Sequence, residues 1–196
     1  TGHVVGYLLG TLDDAAHRLG RHRLVLFGGS TTSTPVQYKA STRNVIQIEE
    51  YVRDTGAKVK TNEFTAAPGV ESSPLCRANG PISLGSGKTP AEFIREAFQE
   101  ELFLAKAYAG NAPVSIGGRI DKLSFSSISP ASWEIGMTLT SSNGQSLQVE
   151  NSHRFDTSWD AWSACKNVAD AFAPAVQGTL SKAVNDPRFK TLLTAK

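Results

Sequence analysis

Apolar positions recur with two periods along the chain and divide it into strands and helices. SWEIGMTLTS (132–141) alternates most cleanly, with Trp133, Ile135, Met137 and Leu139 on one face. SLQVENSHRF (146–155) carries Leu147, Val149 and Phe155 in the same phase. A two-residue Asn-Gly turn between them would pair Thr138 with Val149 and set the two apolar rows on opposite faces. A three-residue loop, Ser142-Asn143-Gly144, pairs Met137 with Val149 and Leu139 with Leu147, with Gly144 in the left-handed position. Upstream, VSIGGRIDKLSFSS (114–127) alternates through Ile116, Gly118 and Ile120, then shifts phase to Leu123 and Phe125. That shift predicts a bulge near Asp121-Lys122. NVIQIEEYV (44–52) and GAKVKTNEFTA (56–66) read as two more strands joined by a turn around Asp54-Thr55-Gly56.

The helical period governs three other stretches. Residues 90–108 put Phe93, Ile94, Ala97, Phe98, Leu104, Ala105 and Tyr108 on one broad face. Residues from about 156 to 186 carry a stripe through Ala161, Cys165, Val168, Ala169, Phe172, Val176 and Leu180, with Asp156-Thr157-Ser158 as candidate caps. Pro174 is expected to kink or split that helix, Asp186-Pro187 to end it, and RFKTLL to add a last turn. Near the N-terminus, Val5, Leu8, Leu12, Ala15, Ala16 and Leu19 suit an amphipathic helix weakened by Gly6 and Gly10. Residues 28–43, rich in Gly, Ser, Thr and Pro, read as a linker. The expected organisation is an N-terminal leader or helix with linker over 1–44 and one α/β domain over 45–196. The expected fold is α+β, a two-layer sandwich of mostly antiparallel sheet with two long helices packed on one face. The other sheet face, rich in Ser, Thr and Gln, is expected to meet water or a partner.

GPISLGSGKTPAEF (80–93) ends in a Gly-Lys-Thr that suggests a phosphate-binding loop. GxxxxGK[ST] requires its first glycine at position 82, which is Ile82. Thr89-Pro90-Ala91-Glu92 reads instead as a capping box: Thr89 caps, Pro90 takes the first helical position and Glu92 reaches back. One helical turn after Ala97-Phe98, Glu101 projects into the apolar face, where a carboxylate must be paired, protonated or reached by water. Arg77 is the candidate partner for a structural Arg77–Glu101 ion pair, with Arg119 as the alternative, against a role for Glu101 as a tuned general acid.

The 196 residues, 40% hydrophobic, suffice for one domain with a real core. A formal charge of +2 gives no reason to expect nucleic acid. The four histidines are scattered, so neither a metal site nor a cofactor is expected, and no catalytic residue is assigned. Cys76 and Cys165 fit neither a redox pair nor a zinc ribbon; they suit one disulfide in an oxidising compartment or two buried thiols in a reducing one. No apolar run approaches the ~18 residues that cross a bilayer. RHRLVLFGGSTTSTP (21–35) is built like the end of a bacterial lipoprotein signal, but Gly29 or Ser30 stands where the lipidated cysteine belongs.

FTAAPG, CRANGPI, TPAEFIREAFQEEL, IGGRIDKLSFSS, WEIGMTLTSSNG and ACKNVADAFAPAVQ, spread from about Lys58 to Leu193, resemble a group of small envelope lipoproteins of Gram-negative bacteria, mostly of unknown function. More loosely, the layout is similar to the α/β domain shared by the N-terminal part of TolB, the curli secretion-channel subunit and an exopolysaccharide-export lipoprotein. The missing lipobox cysteine departs from that pattern and leaves membrane attachment open. The resemblance implies the periplasm, outer-membrane association, binding or assembly work often in rings, and, in that compartment, a Cys76–Cys165 disulfide.

The leading functional expectation is a non-enzymatic periplasmic module that binds an envelope protein or itself, with Trp159 and Trp162 as candidate partner-binding residues. The alternative is an enzyme or small-ligand binder with a site around the 66–88 loop, using Arg77, Lys88 and Glu101. A third reading attaches helix 4–19 and the following RHR to a membrane surface.

Overall fold

A computed structural model describes residues 37–83 and 87–195. The helix expected over 4–19, the signal-like stretch 21–35 and most of the linker lie outside the described residues.

Four strands form one sheet in the order β1-β2-β3-β4: β1 (Val59–Ala66), β2 (Val114–Ser126), β3 (Ser132–Ser141) and β4 (Ser146–Arg154). β1 runs parallel to β2, and the other pairs are antiparallel. The parallel pair needs a crossover, which α2 (Pro90–Leu104) supplies. Met137 pairs with Val149 and Leu139 with Leu147, the register that puts both apolar rows on one face. Gly144 sits at φ 91°, a left-handed conformation that a residue with a Cβ rarely adopts. The β2–β3 register shifts between Ile120 and Lys122, where the change of apolar phase predicts a bulge.

The apolar face is covered by helices. α3 (Ala161–Asp170) and α4 (Phe172–Val184) replace the single helix expected there, and α5 (Phe189–Leu193) is the extra turn. Pro174 lacks the N–H that would bond to the carbonyl of Asp170, and its ring crowds that carbonyl, so the helix divides beside it. The cap of α3 is Asp160, four residues after Asp156, and its carboxylate accepts from Ser163 N–H at 2.8 Å. Trp133, with no exposed surface, lies between Phe125 and Phe172, and its indole N–H donates to the Val168 carbonyl at 2.8 Å. The α+β class therefore holds, with five α-helices among the described residues rather than two.

NVIQIEEYV is not a strand. It lies in α1 (Thr42–Arg53), which begins three residues before the expected domain boundary at Val45. Ser41 caps this helix, and Asn44, Ile48 and Val52 form its buried stripe at a spacing of four. The β-branched residues that suggest a strand are tolerated because this stripe packs on α2 and α4. α2 ends four residues earlier than the apolar stripe implies. Ala105 caps it, Lys106 turns left-handed at φ 57°, and Tyr108 leaves to bridge Val59 at the edge of β1.

Close approach explains Gly118. A Cβ there would lie 2.5 Å from the Phe64 ring, which packs on Phe98 of α2. Gly118→Ala is expected to cost about 1–3 kcal/mol through overpacking. Urea denaturation measures it; a change below about 0.5 kcal/mol would mean that Phe64 moves aside freely.

On the opposite face Asp121 accepts from Arg119 at 2.6 Å and from Thr138 at 2.5 Å, and Ser152 donates to Glu134 at 2.5 Å. This face is polar, as its composition implies, and its ion pairs add little stability.

Candidate functional site

Three segments meet at one end of the molecule. The first is the turn around Cys76, closed by Cys76 N–H to the Gly80 carbonyl (2.9 Å) and Ile82 N–H to the Pro74 carbonyl (3.0 Å). Gly80 takes φ 92°, and Arg77 accepts a left-handed φ of 49°. The second is the β2–β3 connection at Ser127 and Ile128, and the third is 156–162, which leads into α3.

Two devices lock the segments together. Cys76 and Cys165 form a disulfide with their Cα atoms 5.9 Å apart, tying the first turn to the buried stripe of α3. Arg77 donates through Nε to Ser127 Oγ (3.0 Å), through Nη2 to the Ser127 carbonyl (2.8 Å) and through Nη1 to the Trp159 carbonyl (3.2 Å). Thr157 adds a bond to the Ser127 carbonyl at 2.6 Å, and Asn167 Nδ2 donates to the Asp156 carbonyl at 3.0 Å. Hydrogen bonds from Ser163 hold the Asp160 carboxyl below its usual range, and Arg77 contributes to the same shift.

These ties hold apolar side chains out in water. Trp159 is 99% exposed, Ile128 71%, Leu75 70% and Trp162 62%. Tryptophan on a fixed loop gives up little conformational freedom when it is covered, which makes it an efficient contact. Beside it, Arg154, Phe155 and Ser129 help to line an open hollow of about 640 Å³. Both candidate tryptophans are therefore free of the sheet, and both stand on the segment that Arg77 and the disulfide secure. Leu75 and Ile128 carry no periodic signal: each is a lone apolar residue in a Ser/Pro-rich loop, and only the fold ties its segment to that of the tryptophans.

The Arg77–Glu101 ion pair does not form. Arg77 is committed to Ser127 and Trp159, and Arg119 pairs with Asp121. Glu101, with no exposed surface, instead accepts from Tyr38 Oη at 2.5 Å, from Ser41 N–H at 3.2 Å and from Asn44 Nδ2 at 3.1 Å to each oxygen. Burial raises the Glu101 pKa, against these hydrogen bonds, which lower it. Burial raises that of Tyr38 too, followed by the negative charge of Glu101, and the phenol keeps its proton. The donors come from a stretch read as linker and strand, so no pattern in α2 could reveal them. A carboxylate this enclosed and this fully bonded is a structural anchor for the start of α1, not a general acid open to substrate.

The polar set of the alternative site is likewise dispersed. Lys88 bonds Glu96 on the exposed side of α2, Arg77 lies at the disulfide end, and Glu101 is buried under α1. A hollow of about 270 Å³ does border the 66–72 stretch, over Phe64, Val70, Ile120 and Leu123, but it contains none of the three. Thr89 and Glu92 form the capping box, with Thr89 N–H donating to Glu92 Oε2 at 2.8 Å and Glu92 N–H to Thr89 Oγ1 at 3.2 Å. The lysine and threonine of GSGKT therefore serve the helix start. Among the described residues no group of three or more His, Cys, Asp or Glu is arranged to hold a metal ion, and no helix is long and apolar enough to cross a membrane.

No family model matches the sequence, and no curated protein does. Seven solved chains match in structure. One is a Xanthomonas campestris protein of the DUF330 family, 10% identical, with a TM-score of 0.44, over 65% of this chain and 84% of that one. Another, described as an uncharacterized protein, is 9% identical, with a TM-score of 0.37, over 64% of this chain and 91% of that one. Likeness at this level carries no argument about this chain.

Proposed function

We propose that this protein is a non-enzymatic periplasmic module that binds another envelope protein, and that it docks through the disulfide-tied end. The observation that carries the reading is Trp159, 99% exposed on a loop whose carbonyl is held by Arg77. An exposed tryptophan with Trp162, Leu75 and Ile128 on neighbouring segments has the composition of an interface centre. The disulfide supports an oxidising compartment, and the resemblance to envelope lipoproteins points the same way.

A photo-crosslinking amino acid at position 159 or 162, in the native host, tests this directly. Adducts from these positions and none from Thr140 on the polar face are the expected result; equal labelling everywhere, or none at 159 and 162, would sink the proposal. Truncating Trp159 to alanine is expected to change folding stability by less than about 0.5 kcal/mol, because it is almost wholly exposed, and truncating the partly covered Trp162 by about 1 kcal/mol at most. The two truncations together are expected to weaken partner capture roughly 30-fold or more, as for an interface centre worth about 2 kcal/mol.

A further inference from the structure

The two edges of the sheet are treated differently. Outside β1, Val59 exchanges backbone hydrogen bonds with Ala107 and Ala109, Thr61 bonds Gln99, and the β1–β2 register breaks between Thr61 and Phe64. Those are the usual ways of blunting an edge. β4 is nine residues long and keeps one register against β3 throughout. Phe155 N–H bonds the Ala131 carbonyl and Ser141 N–H bonds the Gln145 carbonyl, so the odd-numbered residues of β4 turn their backbone groups toward β3. The even-numbered residues Gln148, Glu150, Ser152 and Arg154 turn theirs outward. Among the described residues only Lys182 reaches that row, donating to the Glu150 carbonyl at 3.0 Å.

We infer that β4 is a self-association edge whose occupant is the β4 of a second copy, antiparallel and centred on Ser152. The proposal rests on the strand edge and not on the exposed tryptophans, although Arg154 and Phe155 also border the hollow beside Trp159. Its ground is complementarity. Pairing about Ser152 sets Glu150 of each copy opposite Arg154 of the other, and both side chains are exposed with no ion-pair partner among the described residues. These become directly hydrogen-bonded pairs, about 5.5 Å apart at Cα, on the polar face. On the helix side the same register places Val149 opposite Phe155 and Asn151 opposite His153, so apolar meets apolar and polar meets polar. Centring on Glu150 would oppose two like charges. A two-fold axis at Ser152 joins two four-stranded sheets into one of eight and passes the Glu150 carbonyl from Lys182 to the Arg154 N–H of the second copy.

Light scattering of the full chain over a concentration series reads the result. The wild type is expected to reach twice the mass of one chain. Glu150→Arg alone and Arg154→Glu alone each set two like-charge pairs across the axis and are expected to be monomers. An equimolar mixture of the two variants makes both pairs complementary and is expected to recover the doubled mass. Hydrogen exchange gives a second readout without substitutions, since the Gln148, Ser152 and Arg154 amides should slow as wild-type concentration rises. A wild type that stays monomeric overturns the proposal. So do a dimer indifferent to either substitution and variants that fail to associate when mixed.

Discussion

Replacing Cys76 and Cys165 together by serine is expected to lower stability by about 2–5 kcal/mol, the range for native disulfides. The bond spans 89 residues. In the chain-entropy picture a loop of that length restricts the unfolded chain by roughly 4–5 kcal/mol, an upper figure because unfolded chains keep some structure. For a domain whose total stability is about 5–15 kcal/mol, this is the difference between robust and marginal. The loss should begin locally. Besides the bridge, the three Arg77 bonds, the burial of Ile82 and contacts with α3 hold the Cys76 turn to the domain; without the bridge, hydrogen exchange at 76–80 and 161–167 should accelerate before the sheet opens. Denaturation with and without reductant measures the global term. A loss below about 0.5 kcal/mol would show that the bridge only decorates a structure already fixed. If the docking end is correctly placed, crosslinking from position 159 should fall in the serine variant at temperatures where the sheet is still folded.

Glu101→Ala is expected to cost about 3–5 kcal/mol, since it leaves Tyr38, Ser41 and Asn44 donors facing an empty space under α1. Glu101→Gln keeps the shape and an accepting oxygen and should cost much less. The two variants also separate charge from packing. Burial raises the Glu101 pKa, with Glu100 adding to the rise, so the folded chain holds this proton more tightly than the unfolded chain does. Stability from that preference is complete below the unfolded carboxylate value and is lost as pH climbs through the raised folded one. The wild type should therefore lose ground to the glutamine variant as pH increases across that window. Urea titrations at several pH values give the curve. A difference between them that does not vary with pH would mean that the carboxyl does not titrate differently on folding.

What the sequence reveals depends on how local the cause is. The β3–β4 register, the Gly144 turn, the bulge after Ile120 and the Thr89–Glu92 cap arise from neighbours a few residues apart, and all four are present. α1 is hidden in the sequence because its inside and outside are partly inverted: Asn44 is fully buried while Ile46 is 51% exposed. Asn44 is inside because Glu101, 57 residues away, needs a donor there. The failed Arg77–Glu101 pair has the same origin, since complementary charge says nothing about which groups a fold brings within reach. Trp159 and Trp162 are legible as residue types, but their exposure rests on Arg77 and the Cys76–Cys165 bridge reaching across the chain.

The β3–β4 turn is stitched to α5 and the residue beyond it. Ser141 Oγ donates to the Leu192 carbonyl, and Asn143 Nδ2 donates to the carbonyls of Thr191 and Thr194. Phe189, Leu192 and Leu193 then complete the core beneath the turn. α5 emerges after every strand it covers, so a chain delivered N-terminus first displays a finished hairpin with no lid. Through that interval Leu139 and Leu147 wait for residues 189–194 to complete the core beneath the turn.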